Sequence, residues 1–348
     1  MNISIITHAA HGGKGGIDKY VTNIIDTLES NSKIKKINIY SKRKIFYQKR
    51  KLFFYKSNFF LFLILKNTIN IIKSDLILIT HINLIPYALV SFFFNKKIIL
   101  FSYGIEIWGV DKNFIYKLLI KKINYFICMR DYTMRIQKKK YDLKSNSFFM
   151  LHNCMNGELK KYRFNHKQKN IITVARLDKN EKFKGIDETL DALSLIKKKL
   201  FKYYIVGEGN DTERLKKKVQ LLNLENDVIF TGYVSNKKRD FLFRSSCICS
   251  MPGSDATFDT YPYRFSFLEA SIFGLHLIAS NPQKKEKKDA KKYANINFVN
   301  PKNAKEIKKT ILKLINKKKY TCPKLIKDFS YNQFKSNLNK YINSIIIS

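Results

Sequence analysis

Short apolar runs alternate with amphipathic stretches along the whole chain. Asn2–Thr7 (NISIIT) has the length and continuity of a buried strand. Ile17, Tyr20, Val21, Ile24, Ile25 and Leu28 then recur at helical spacing, which predicts a helix from about Ile17. The pattern next predicts a strand at Lys36–Ser41, a helix at Phe59–Ile72 and a strand at Leu76–Thr80. His81–Phe94 reads as helical after its first turn. Strand Lys97–Ser102, helix Phe114–Lys121, strand Tyr125–Met129, helix Tyr132–Lys139 and strand Phe148–Leu151 follow.

Asn165–Asn170 (NHKQKN) is a polar break, and a second alternation begins after it. Strands are predicted at Asn170–Val174, Lys202–Val206, Val228–Thr231, Cys247–Met251, His276–Ala279 and Ile296–Val299. Helices are predicted from near Ile186 to Lys197, and at Thr212–Leu222, Lys237–Phe243, Phe265–Phe273, Ala304–Ile315 and Asp328–Ile346. Strands spaced by helices imply parallel, doubly wound sheets. The expected organisation is two tandem α/β Rossmann-like domains, 1–165 and 166–325. A C-terminal helical segment, 326–348, is expected to pack back toward the first domain.

Length and composition agree with two domains. The 348 residues suit two cores of about 150–175 residues each. The apolar share of 45% can fill both. The formal charge of +39 would suit nucleic acid, an anionic membrane face or a polyanionic substrate. Yet the 66 basic residues divide into 56 Lys and ten Arg, amid abundant Ile, Asn, Phe and Tyr. That mixture matches a bias toward A- and T-rich codons, and a dedicated nucleic-acid groove would favour Arg. No specific nucleic-acid partner is expected.

Cys128, Cys154, Cys247, Cys249 and Cys322 have the spacing of neither a disulfide framework nor a zinc site, which fits a reduced cytoplasm. The first residues, MNISIITHAA, lack a basic n-region and a long apolar core, so no signal peptide is expected. Phe59–Leu65 and Ile85–Phe94 fall short of the roughly 20 residues a spanning helix needs. The basic and aromatic stretch Lys42–Lys56 reads either as a patch for anionic lipid or as a solvated loop. An anionic membrane surface is thus a candidate partner, and a peripheral position at the inner membrane face a candidate location.

Candidate chemistry sits in two strand–loop–helix junctions. Gly12–Gly16, with Lys14 inside it, lies between the first strand and the first helix. Missing side chains there would let a phosphate reach backbone N–H groups, but the spacing matches neither the dinucleotide fingerprint nor the P-loop. In Val174–Ala192 (VARLDKNEKFKGIDETLDA), Arg176 and Lys184 bracket a charged loop ahead of a helix. A fork of donors, a point charge and a helix N-terminus together suit a phosphate or diphosphate; the other reading is a solvated basic loop. Gly207 and Gly209 in VGEG would allow close approach to a nucleotide or form a simple turn.

These motifs come in an order that resembles a known family. VARL…FKGIDETLDAL, YIVGEGNDTERL, DVIFTGYVS and FLEASIFGLHLIAS, with GGIDKYVTNI and YGIEIWG before them, resemble retaining nucleotide-sugar glycosyltransferases of family 4, which have the GT-B fold. The resemblance covers most of the chain. It implies two Rossmann-like domains facing across a cleft, with the acceptor on the first and the donor on the second. Arg176 and Lys184 would hold the donor diphosphate and offset charge on the leaving group, with no metal or other cofactor. Glu269 matches the second Glu of the family's E-x7-E pattern and would grip the ribose hydroxyls. Gly15, Gly16 and Gly207 would lie beside the donor.

The chain departs from the family in two places. Tyr261 stands where the first Glu of E-x7-E belongs, with Asp255 and Asp259 just upstream as candidate substitutes. Tyr103 stands where many members carry a His before Gly-x-Glu; His8, His11 and His81 are other candidates for that role. Glu106 either orients the acceptor or caps a helix. The implied function is transfer of a sugar from a nucleotide-diphosphate sugar to a glycan or lipid-linked glycan, in cell-surface polysaccharide or lipopolysaccharide synthesis. The alternatives are another GT-B chemistry, such as a sugar-nucleotide epimerase or a phosphorylase, and, remotely, a basic nucleic-acid-binding protein.

Overall fold

Strand β1 (Asn2–Thr7) is buried at five of its six positions, Ser4 and Thr7 among them, as expected for a strand covered on both faces. The computed structural model describes residues 1–8, 16–41, 51–56, 64–108, 114–155, 169–180, 184–253, 265–281, 295–318 and 323–347. The chain divides into two compact units. One comprises Met1–Asn156 with Phe329–Ser348, and the other Gly157–Asp328.

In the first unit, β1 is followed by α1 (Gly16–Glu29), β2 (Lys36–Ser41), β3 (Leu52–Lys56), α2 (Thr68–Ile72) and β4 (Leu76–Ile79). A 3-10 segment (Ile82–Ala88) runs into α3 (Leu89–Phe93). Then come β5 (Lys97–Ser102), α4 (Ile105–Trp108), α5 (Phe114–Lys121), β6 (Tyr125–Cys128), α6 (Asp131–Tyr141) and β7 (Phe148–Met150). The seven strands are all parallel, in the order β3-β2-β1-β4-β5-β6-β7. The chain therefore steps outward from β1 to β3 and returns to β4 beside β1.

Three expectations are corrected here. Leu52–Lys56 is an edge strand rather than a solvated loop. Its Tyr55 stacks on Tyr40, Lys36 sits over Phe53, and Leu52 is buried, so these residues serve the sheet. Residues 42–50 lie outside the described residues, as do 57–63 at the start of the predicted helix Phe59–Ile72. The segment after His81 opens as a 3-10 helix around Pro86, whose ring and missing N–H work against an α-helical ladder. The C-terminal stretch is two helices, and the second lies on α1 of the first unit. The break falls where Ser330 bridges to Met155 and the Met155 N–H donates to the Phe329 carbonyl at 3.0 Å.

The second unit runs β8 (Asn170–Val174), α7 (Ile186–Ser194), β9 (Tyr203–Val206), α8 (Thr212–Leu221), β10 (Val228–Gly232), α9 (Asn236–Arg244) and β11 (Ser246–Met251). It continues with α10 (Phe265–Ile272), β12 (His276–Ser280), β13 (Ile296–Val299), α11 (Ala304–Leu314) and α12 (Pro323–Asp328); α13 (Tyr331–Ile347) belongs to the first unit. Its six strands are parallel, in the order β10-β9-β8-β11-β12-β13. Cys247 and Cys249 are thiols buried on β11.

Candidate functional site

An open parallel sheet forms a crevice at the carboxyl ends of its strands, where the strand order reverses. In the second unit that point lies between β8 and β11, so the loops after Val174 and after Met251 form its rim.

Strand β8 ends at Val174, but its ladder continues. The Ala175 N–H donates to the Val206 carbonyl (3.0 Å), the Leu177 N–H to Glu208 (3.1 Å) and the Asp211 N–H to Leu177 (2.9 Å). Residues 175–177 thus stay extended beside 206–208. Alternation along this extension buries Leu177 and turns Arg176 outward, with 65% of its side chain exposed. The approach is close enough to demand glycine opposite. A Cβ on Gly207 would lie 1.9 Å from the Ala175 oxygen, and one on Gly209 would lie 2.0 Å from the Leu177 oxygen. The room left by both glycines is thus filled by the segment that carries Arg176.

Lys184 sits at the other end of the loop, directly before the N-cap of α7. That cap is Gly185, with φ +78°. A Cβ there would lie 2.4 Å from the Pro252 nitrogen and 2.5 Å from the Gly253 nitrogen, so the β8 and β11 loops meet backbone to backbone. A buried hydroxyl chain fixes this junction from below. Tyr203 donates to the Thr173 hydroxyl (2.7 Å), which donates to the Ser250 carbonyl. The Ser250 hydroxyl donates to Thr189 (2.9 Å), which donates to the Gly185 carbonyl (2.7 Å). Burial pushes the Tyr203 phenol well up, so it remains a donor.

Arg176 and Lys184 line one shallow pocket with Leu177, Asp178, Ile186, Asp187, Asp211 and Leu215. Three acids beside two cations would weaken anion binding, but two of them are occupied. Arg214 forks onto Asp187 (2.8 and 2.7 Å) and onto Asp211 (2.7 and 2.6 Å). Lys218 adds contacts to Asp187 (3.1 Å) and Asp191 (2.8 Å). Asp178 approaches Arg176 only loosely, at 3.8 Å.

Burial pushes the Asp187 carboxyl up, but hydrogen bonds from Arg214 and Lys218 outweigh it and hold the carboxyl below its ordinary value of 3.8. A depressed folded-state value means that this stabilisation is complete above pH 3.8 and drains away as the pH falls further. Arg214→Met should therefore destabilise the protein at neutral pH by about 1–3 kcal/mol, less than a fully buried pair because Arg214 is partly exposed. It should also flatten the loss of stability below pH 3.8. Urea unfolding across that range measures both effects.

Glu269, on α10, is 5% exposed, and its Oε1 accepts from Arg239 Nη2 of α9 at 2.9 Å. A carboxylate serving ribose hydroxyls here would do so while holding Arg239. Asp255, Asp259 and Tyr261 lie outside the described residues.

The first unit has its own reversal point, between β1 and β4. His8 and His81 follow those two strands, and their rings meet edge to face with centroids 5.2 Å apart. His81 Nδ1 accepts the Asn83 N–H at 3.1 Å, capping the 3-10 segment. Gly16 is the exposed first residue of α1, whereas Gly15 and His11 lie outside the described residues. Glu106 is spent on its own turn, accepting N–H bonds from Tyr103 (2.6 Å) and Gly104 (3.0 Å). Its carboxylate thus caps the turn that opens α4. Tyr103 is buried edge-on against Tyr20, with centroids 5.4 Å apart, and its hydroxyl has no partner among the described residues.

Sequence reasoning missed Arg214, Arg239 and the hydroxyl chain. Arg214 lay in plain view inside YIVGEGNDTERL, but no spacing rule joins it to Asp187. Arg239 lies in a helix whose sequence carries no motif.

Residues 156–335, about half of the chain, match the family described as Glycosyl transferases group 1. The chain belongs to the glycosyl transferases group 1 family. Solved structures share its fold across nearly its full length. The lipopolysaccharide outer core galactosyltransferase WaaB aligns at 16% identity, covering 99% of each chain, with a TM-score of 0.71. HepE of Anabaena, in complex with UDP, aligns at 12% identity over 99% of this chain and 100% of its own, with a TM-score of 0.75. Sucrose-phosphate synthase from Thermosynechococcus elongatus aligns at 13% identity over 99% of each chain, with a TM-score of 0.73. No curated protein matches the chain by sequence.

Proposed function

We propose that the chain is a family 4 retaining glycosyltransferase. It moves a sugar from a nucleotide-diphosphate sugar to a glycan or lipid-linked glycan in cell-surface polysaccharide synthesis. The observation that carries the reading is the convergence of Arg176 and Lys184 on one pocket, between the loop after β8 and the starts of α7 and α8. Family membership supports the reaction class, and the UDP in the HepE complex supports the donor type.

In the proposed reaction the bond between the sugar C1 and the diphosphate oxygen breaks. The acceptor hydroxyl oxygen bonds to C1 on the same face, and its proton leaves with the nucleoside diphosphate or passes to solvent. Arg176 and Lys184 meet the charge that grows on the departing diphosphate, with no metal assigned. Their backbone is held in place before the donor arrives, so little reorganisation is required.

Thermal shift against UDP, GDP, ADP, CMP and their sugar conjugates tests the reading, with short single-stranded DNA as control. Selective stabilisation by one nucleoside diphosphate is expected. Stabilisation by DNA alone, lost in moderate salt, would refute it. Glu269→Gln should weaken nucleoside-diphosphate binding about tenfold, or ~1.4 kcal/mol, with a smaller effect on melting. Unchanged affinity removes the ribose role. Incubating the donor without acceptor separates a transferase from an epimerase, which would alter the donor alone.

A further inference from the structure

We propose that the outer face of helices α2, α3 and α5 in the first unit docks on an anionic lipid surface. The inner side of this layer packs on one core cluster that includes Ile71, Ile85 and Ile120. The outer side carries Ile69, Phe93, Phe94, Phe114, Ile115 and Leu118, with Phe93 82% exposed and Phe114 72% exposed. Isolated exposed apolar residues are ordinary, but six large ones on neighbouring helices mark an interaction surface. The helices are neighbours: α2 packs on α3, and α5 packs on the 3-10 segment that leads into α3.

Charge selects the occupant. Lys66, Lys73, Lys96, Lys117, Lys121 and Lys122 interleave with the apolar positions, and residues 64–73, 89–96 and 114–122 contain no Asp or Glu. A second copy of a chain with net charge +39 would bring the same lysines against their own image. An anionic bilayer attracts the lysines and accepts the aromatic and aliphatic side chains at the level of its head groups. No helix among the described residues is long and apolar enough to cross a membrane, so the contact lies in the plane of the interface. The proposal goes beyond the transferase reading, since vesicle binding is measured without turnover.

The test is co-sedimentation of the full chain with phosphatidylcholine vesicles, with and without phosphatidylglycerol. Wild type should bind the phosphatidylglycerol vesicles and retain part of that binding in salt that screens surface charge. Phe93→Ser combined with Phe114→Ser should lower partitioning about tenfold or more at an unchanged melting temperature. Binding of the double variant equal to wild type, or no binding by wild type, overturns the proposal. So does a wild-type dimer, formed without lipid, that the double variant loses. If the serine variant melts early, Lys96→Glu with Lys117→Glu replaces it, and undiminished vesicle binding in that variant overturns the proposal equally.

Discussion

Arg176→Ala and Lys184→Ala should each lower kcat about 30- to 1000-fold, a loss of ~2–4 kcal/mol of transition-state stabilisation, with melting close to wild type. Stability should survive because the Arg176 side chain is 65% exposed and its ion pair with Asp178 is loose. The loss should fall mainly on kcat if the two cations act on charge that appears as the diphosphate departs. A rise in KM alone would make them uniform binders of the ground state. Turnover close to wild type in either variant would remove them from the chemistry. Steady-state kinetics with the donor identified by thermal shift decides among the three.

Gly185→Ala should cost about 3 kcal/mol or more of stability. Two penalties combine. The residue sits at φ +78°, where an L side chain costs about 1–2 kcal/mol. Its new Cβ would also stand 2.4 Å from the Pro252 nitrogen, which only a backbone shift can relieve. Since Gly185 adjoins Lys184, the shift should reach the cation. Any folded fraction of the variant should therefore show weakened nucleotide stabilisation as well as early unfolding. Thermal unfolding with and without nucleoside diphosphate measures both, and melting with wild type would refute the clash.

The sheets were legible because a strand buried on both faces leaves no polar side to disguise it. Leu76–Ile79 announces itself by composition alone, and Asn2–Thr7 and Cys247–Met251 by apolar residues broken only by small polar ones. Leu52–Lys56 did not, because its outer position tolerates Lys and aromatics that read equally well as a charged loop. Pro86 is visible in the sequence, yet whether it bends an α-helix or converts it to 3-10 geometry depends on the strands below. At the site, Arg176 and Lys184 could be singled out by charge type and by their place around a strand–loop–helix junction. The purpose of Gly207 and Gly209 could not, since it is set by segment 175–177 lying against them. Glu106 shows the same limit: only the turn geometry reveals that its carboxylate serves Tyr103 and Gly104. The Arg214 clamp joins residues 27 positions apart and so escapes any local rule.

The return of α13 to the first unit has a consequence for synthesis. Phe334, Leu338, Ile342 and Ile345 are buried there, and Asn339 accepts a hydrogen bond from Asn31 at 2.8 Å. The second unit is one continuous piece of chain and can close as soon as it leaves the ribosome. The first, although begun earlier, must wait with part of α1 uncovered until α13 emerges. The usual order of maturation is thereby inverted: the domain begun first is completed last. A chain cut off after Asp328 would carry a finished second unit tethered to an open first one, a substrate for chaperones and proteases rather than a smaller enzyme.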